Sequence, residues 1–430
     1  MRTKKFLILS LWILLPFLSS SQTFYRVGAD TNKTSQPLFG ILLAGGAIDN
    51  DNAMRWLAQL ANGGDVVVLR ATGDDLYNNY IYTQLDVEVN SVTTIVVSTE
   101  EQADSDTVCQ AISQADMIFL AGGNQWHYYN EWKNTCLHEA LQYHVNQKSA
   151  PIGGTSAGLA VLGEVVFTAE NNSVWSEEAL GNPYHWRMKL ANDFLDIPYM
   201  NNIVTDSHYN RIHGDDNHRK GRHVAFMARM VVDWDMQAKG IGVNEYTAVA
   251  VNENGIAKVF GNPGYPDYAY FLKANAIPEI CETNTPLTWY NQGNALTVYR
   301  IAGNNQGNGA FDLNNWETAE GGSWWKWYVD QGELYEADVT SIEHPGLNSG
   351  SKNISIYPNP ADSRIFVNNA TSESLISYRI FDVNGQVIFS ENNKENENLF
   401  IIDVSEFTSG VYLFYLYFEN EIVVKKIIKK

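Results

Sequence analysis

Ser156 lies in the stretch GGTSAG, residues 153–158, directly after a short apolar run that ends at Ile152. A serine that attacks from the end of a strand must ride a sharp strand-to-helix turn, so that its oxygen and a neighbouring backbone N–H face one reaction centre. Gly153, Gly154, Ala157 and Gly158 are small enough to permit such a turn. The pattern G-T-S-A-G fits the nucleophile-elbow form G-x-S-x-G, and by itself it fits a glycine-rich structural turn equally well.

A serine hydroxyl is a weak nucleophile, so it needs a base to take its proton and an acid to orient that base. The segment TDSHYNRIHGDDNHRKGRH, residues 205–223, offers His208, His213, His218 and His223. His208 follows a short apolar run at Ile203 and Val204, where a loop can present it at a sheet end. Histidines five residues apart also raise a metal site, and with it a metallohydrolase as an alternative reading. That spacing fits neither H-E-x-x-H nor a four-residue helical ligand pair, and Arg211, Arg219, Lys220 and Arg222 would repel a cation. The expectation is therefore no metal and no cofactor. The same basic cluster, in an otherwise acidic chain, suits recognition of carboxylate groups by guanidinium forks. Pairing with Asp215 and Asp216 on a solvated loop is the competing reading.

These residues need a scaffold. From Phe39 to Gly154, the apolar runs FGILLAGG, DVVVLRATG, TTIVVS, DMIFLAGG and APIGG alternate with DNAMRWLAQLAN and SDTVCQAISQA, whose apolar residues recur at helical spacing. Strand runs alternating with helices predict an α/β fold, a doubly wound, mostly parallel sheet with helices on both faces. In such sheets ligands sit at the carboxyl ends of strands, where both LAGGNQ and GGTSAG fall. Residues 240–261 alternate like two antiparallel strands joined near NENG. Residues 285–340, rich in Trp, Tyr, Asn and Gly, read as loops and short strands; WWKWY suits a packed edge better than a carbohydrate platform.

The chain has 430 residues and a formal net charge of -20, which argues against nucleic-acid or anionic-membrane partners, since both need basic surface. Residues 1–21 have a basic start, an apolar centre and small residues at Ser19 and Ser21, the form of a signal peptide. No later segment supplies the roughly 20 apolar residues of a membrane span, so the mature protein is expected to be exported, with no membrane span. Three cysteines, Cys109, Cys136 and Cys281, make no disulfide framework, although Cys109 and Cys136 could pair. The catalytic domain is placed at 22–342 and a linker at 343–353. Residues 354–430, with alternating strands and NG and SG turns, are read as a small C-terminal antiparallel β-sandwich.

Four ordered motifs, LAGGNQ, GGTSAG, DSHYNR with RKGRHVAF, and GIGVNEYTAVAV, resemble the cyanophycinase-like serine peptidases, the group that includes aspartyl dipeptidase, over about residues 38–300. The resemblance implies a fold similar to class I glutamine amidotransferases and a Ser-His-Glu triad hydrolysing amide bonds next to acidic residues. By motif, Ser156 is the nucleophile, His208 the base and Glu245 the orienting acid. Backbone N–H groups of Gly123 and Ala157 form the oxyanion hole, and Gln125, Asp206, Arg211, Arg219 and Arg222 line the substrate pocket. Arg222 is the first choice for binding a substrate carboxylate. Glu164 and Glu170 are weaker candidates for the acid. Ser207 stands where the family has glutamine, and IHGDD separates Arg211 from Arg219, which bears on substrate choice. The resemblance also implies a homodimer. The tail segments IYPNPADSRIFV, IFDVNGQVI and SGVYLFYL resemble a type IX secretion sorting domain, which implies the type IX machinery as a partner and a secreted or cell-surface location reached via the periplasm. The reading is thus a secreted serine peptidase or amidohydrolase acting on a peptide or amide with an acidic residue, possible β-linked substrates included; the alternative is a catalytically silent binding protein on the same fold.

Overall fold

The computed structural model describes residues 23–211, 219–262, 267–338, 354–369, 374–382, 387–392, 398–418 and 422–430. The expected signal peptide, the expected linker, and His213, Asp215, Asp216 and His218 lie outside these residues. The chain divides into two compact units, Met1–Thr340 and Ser341–Lys430.

In the first unit, β1 (Thr23–Gly28), β2 (Gly40–Ala44), β3 (Asp65–Arg70), β4 (Ser91–Val96), β5 (Met117–Leu120) and β6 (Ile152–Thr155) begin a ten-stranded sheet. A short ribbon follows, β7 (Val166–Phe167) with β8 (Leu190–Ala191). The remaining strands are β9 (Ile203–Asp206), β10 (Lys239–Val243), β11 (Thr247–Asn252), β12 (Ile256–Gly261), β13 (Tyr268–Ala274), β14 (Leu296–Ala302), β15 (Asn308–Asp312), β16 (Ala319–Glu320), β17 (Gly322–Asp330) and β18 (Glu333–Asp338). The large sheet runs β1-β4-β3-β5-β6-β2-β11-β12-β15-β16. Its central strands β4, β3, β5, β6 and β2 pair in parallel, as the alternation of strand and helix segments predicts, while β1 and the strands from β11 onward are antiparallel. A second sheet runs β18-β17-β14-β13-β10-β9.

The central strands are apolar on both faces because both faces are covered. Leu43, Val67 and Leu69 point into one core with Val108 and Ile112 of the helix Asp106–Gln114. Leu42, Val66 and Val68 point into another, with Met54, Leu57 and Ala58 of the helix Asp51–Leu60. Each such side chain, buried from water, contributes roughly 1.5–3 kcal/mol. A third core joins the second sheet to the helix Lys220–Trp234. Cys109 and Cys136 form a disulfide between two helices, with Cα atoms 5.7 Å apart, and Cys281 is free and buried.

Two segments take a different form from their sequence reading. Residues 247–261 are the antiparallel pair β11 and β12, turned at Asn252–Gly255, but Lys239–Val243 belongs to the second sheet. The aromatic stretch 322–330, read as loops and a packed sheet edge, is instead a nine-residue strand between β14 and β18, with Trp327 buried in the third core.

The second unit holds two antiparallel sheets, Ile354–Tyr357, Arg364–Asn369 and Leu399–Asp403 in one, and Val387–Asn392, Ser377–Phe381, Gly410–Tyr417 and Ile422–Lys429 in the other. Alternate residues such as Ile365, Val367, Ile380 and Phe414 are fully buried in one apolar cluster, as a sandwich requires. Among the described residues no helix is long and apolar enough to cross a membrane.

Candidate active site

The two sheets of the first unit meet at the carboxyl ends of β2, β6, β9 and β10, and three side chains meet there. Ser156 follows β6 with φ 54 and ψ −110, a conformation that an L-residue adopts only when its surroundings enforce it. Close packing explains the small residues around it. A Cβ on Gly158 would lie 2.0 Å from the Leu120 carbonyl oxygen, so a larger residue would push the helix Ala157–Ala160 off β5. The Ser156 hydroxyl lies 2.8 Å from His208 Nε2, and His208 Nδ1 lies 2.6 Å from Glu245 Oε1.

His208 sits two residues beyond β9, where its N–H donates to the Gly45 carbonyl at 2.7 Å. Glu245 occupies the short connection that carries the chain from β10 in one sheet to β11 in the other. Its backbone N–H donates to Asn210 Oδ1 at 2.9 Å, which ties the Glu245 loop to the His208 loop. Glu164 faces elsewhere, accepting the Asn202 N–H.

Burial pushes His208 below its ordinary value of 6.5; the Glu245 hydrogen bond opposes this, and the charges of Arg219 and Arg211 reinforce it. A base must be neutral to accept a proton, so activity that depends on His208 falls as pH drops through a value below 6.5. Asp267, whose carboxyl burial and the Glu245 charge push up to about 6, takes up a second proton in the same region. The acid limb of kcat/KM is therefore expected below pH 6.5. A profile already half-lost above pH 6.5 would show that His208 is not held neutral as this arrangement requires.

A cleft of about 280 Å³ opens in front of the serine and is lined by Gly123, Gln125 and Ala157 on one side and by Arg211, Arg219 and Arg222 on the other. Gly123 ends the turn after β5, which Tyr128 fastens by donating its hydroxyl to the Ala121 carbonyl at 2.7 Å. Gln125 gives its side-chain amide to the Phe167 carbonyl at 3.3 Å.

The basic residues separate into two kinds. Arg222, expected to bind a substrate carboxylate, is only 2% exposed and forks onto Asp206 at 2.8 and 2.5 Å, with a further bond to Ser173 Oγ at 2.7 Å. Its donors are engaged because Asp206, 3% exposed, is itself buried and must be paired. Burial would raise the Asp206 carboxyl, but the Arg222 charge and hydrogen bonds hold it below the usual range. Arg219 donates to the Ser207 carbonyl at 2.9 Å and leaves its buried Nε without a partner. Arg211 is exposed at the rim.

His223 is a core residue, 3.0 Å from both the Tyr209 hydroxyl and the Val204 carbonyl. Among the described residues no three of His, Cys, Asp and Glu gather as metal ligands. Sequence reasoning passed over Gly46. Its φ is +101, and a Cβ there would lie 2.5 Å from the His208 ring. The signal was the segment LAGG at 43–46, a copy of the LAGG at 120–123 that carries Gly123.

An α/β sheet with a hydrogen-bonded Ser, His and Glu at its strand ends is the setting in which the comparisons fall. Residues 74–259 match peptidase family S51, and residues 355–430 match the secretion system C-terminal sorting domain. Residues 74–259 are thus similar to peptidase family S51, and the sorting-domain match over 355–430 implies a secreted or cell-surface protein. It is similar to the cyanophycinase of Synechococcus elongatus, 25% identical over 213 residues that cover 48% of this chain and 58% of that protein. The cyanophycinase of Trichormus variabilis is 22% identical over 222 residues, covering 52% and 65%. The chain therefore spans less than two thirds of either relative. A solved peptidase from an acI-B1 Actinobacterium superposes with a TM-score of 0.39 at 16% identity, covering 54% of this chain and 94% of that one.

Proposed function

We propose that this protein is a secreted serine peptidase or amidohydrolase that cleaves amide bonds next to acidic residues through an acyl-enzyme. The observation that carries this reading is the unbroken hydrogen-bonded run from Ser156 through His208 to Glu245 at the mouth of the cleft.

In this reading the Ser156 oxygen attacks the scissile carbonyl while its proton passes to His208 Nε2, and Glu245 stabilises the resulting imidazolium. The N–H groups of Gly123 and Ala157 face the developing oxyanion, where such donors matter most. His208 then gives the proton to the leaving amine. A water activated by the same histidine releases the acyl group and restores the serine.

The cleft's charge supports an anionic substrate. Arg219 and Arg211 are the cations with donors still available to it, while Asp206 and Arg222 fix the wall behind them. Gln125 completes the pocket as a polar contact. The signal peptide and the sorting tail fit export by way of the periplasm and type IX machinery.

The test is digestion of a peptide library by purified protein, read by mass spectrometry, alongside a Ser156→Ala control. Cleavage concentrated beside Asp or Glu, α- or β-linked, and absent from the control is expected. Cleavage with no preference for acidic residues would remove the assigned substrate class, and cleavage that survives in the control would remove the serine.

A further inference from the structure

Residues 44–49 hydrogen-bond the backbone of Ser156 and His208 and of Tyr246, which adjoins Glu245, and beyond the buried Ala44 one side chain of the segment reaches the interior. The Ala44 carbonyl accepts the Ser156 N–H at 3.1 Å, the Gly45 carbonyl accepts the His208 N–H at 2.7 Å, and the Gly46 carbonyl accepts the N–H of Tyr246, next to Glu245, at 3.1 Å. This segment therefore sets the three residues in register. It is also a strained piece of backbone, with Gly46 at φ +101 and Ala47 at φ 67. Ala47 is exposed and Ile48 is 68% exposed, so neither holds the segment in place.

Asp49 does. Its carboxyl turns inward and accepts the Tyr77 hydroxyl at 2.5 Å. Tyr77 is itself fixed by Phe119 and Tyr80, with ring centroids 5.1 and 6.1 Å away. The second oxygen of Asp49 is buried with no hydrogen-bond partner. Burial pushes the carboxyl up from its ordinary value, against the Tyr77 hydrogen bond, and the nearby Asp51 adds to the push.

We propose that Asp49 and Tyr77 form a latch that positions the nucleophile: the Tyr77 hydroxyl holds the Asp49 carboxyl, Asp49 fixes the 44–49 segment, and the segment's carbonyls hold Ser156, His208 and, through Tyr246, Glu245 in one geometry. The latch rests on the proposed triad, and it acts through that triad without touching substrate. A strained conformation persists only where its surroundings over-determine it, and the Ala44 carbonyl, which takes the Ser156 N–H, belongs to the segment that Asp49 fixes.

The test compares Tyr77→Phe, Asp49→Ala and Asp49→Asn in the full chain, by kcat and KM on an acidic peptide and by the rate of labelling with a fluorophosphonate probe. Displacing a reacting group by about 1 Å can cost on the order of 10²-fold. Tyr77→Phe should lower kcat and the labelling rate by about 10- to 100-fold, with KM changed less than about threefold on the same scale. Asp49→Asn, which keeps an acceptor for Tyr77, should restore most of what Asp49→Ala loses. Melting curves identify any variant that fails to fold, and Tyr77→Phe removes a single oxygen from a packed ring. Wild-type kcat and labelling in folded Tyr77→Phe would overturn the latch. So would equal losses in Asp49→Asn and Asp49→Ala. If wild-type protein itself is neither labelled nor active, it is the triad that fails.

Discussion

His208→Ala should lower kcat on the order of 10³-fold or more, with an unchanged melting curve, because residues that act as one unit lose most of their effect when any one is removed. The same logic makes the sharper forecast. Ser156→Ala, His208→Ala and the double variant should all fall to about the same residual rate, instead of multiplying their losses. The 2.8 Å and 2.6 Å contacts through the imidazole are the reason: without it, the serine has no proton acceptor and Glu245 has nothing to orient. His208 is also bonded to the fold through its backbone, to the Gly45 carbonyl, so truncating its side chain leaves that tie in place. Steady-state kinetics on a cleaved peptide check this. Near-normal turnover in folded His208→Ala would take histidine out of the mechanism, and multiplicative losses in the double variant would mean that the two residues act separately.

Arg222→Ala should cost the protein about 3–5 kcal/mol of stability, because removing one partner of a buried ion pair strands the other charge. Here the stranded group is Asp206, which has the bidentate Arg222 fork at its centre and Arg219 only at 3.9 Å. The same substitution frees Ser173, on the cleft wall, from its bond to the guanidinium. Arg222→Lys keeps the charge but cannot fork, so it should recover only part of the loss. Denaturant unfolding measures both. A variant with wild-type stability that selectively loses acidic substrates would return Arg222 to the role of substrate ligand, the role its motif suggested.

The contrast at Arg222 shows where sequence stops being informative. Spacing could place Arg222 near the cleft, but whether a guanidinium meets substrate or a buried carboxylate depends on Asp206, sixteen positions away and on a different element. Periodicity was enough for the central strands and their covering helices, since apolar runs such as DVVVLR have no other stable place than a doubly covered sheet. It was not enough for Lys239–Val243. That run alternates like its neighbours, and only long-range pairing with β9 and β13 sends it to the second sheet, which is what swings Glu245 between the sheets to reach His208. Gly46 and Asp49 were hidden for a related reason. Gly46's role is defined by a Cβ that is absent, marked only by the repeat of LAGG, and Asp49's by a tyrosine hydroxyl from residue 77, which leaves no local pattern.

The most direct measurement of the central claim is covalent capture of Ser156. Purified protein treated with a fluorophosphonate probe should gain one probe mass, mapped by proteolysis and mass spectrometry to the peptide containing GGTSAG. Ser156→Ala should gain none, and His208→Ala should react far more slowly. Folded wild-type protein that stays unlabelled, or that carries the label on another residue, would contradict the account.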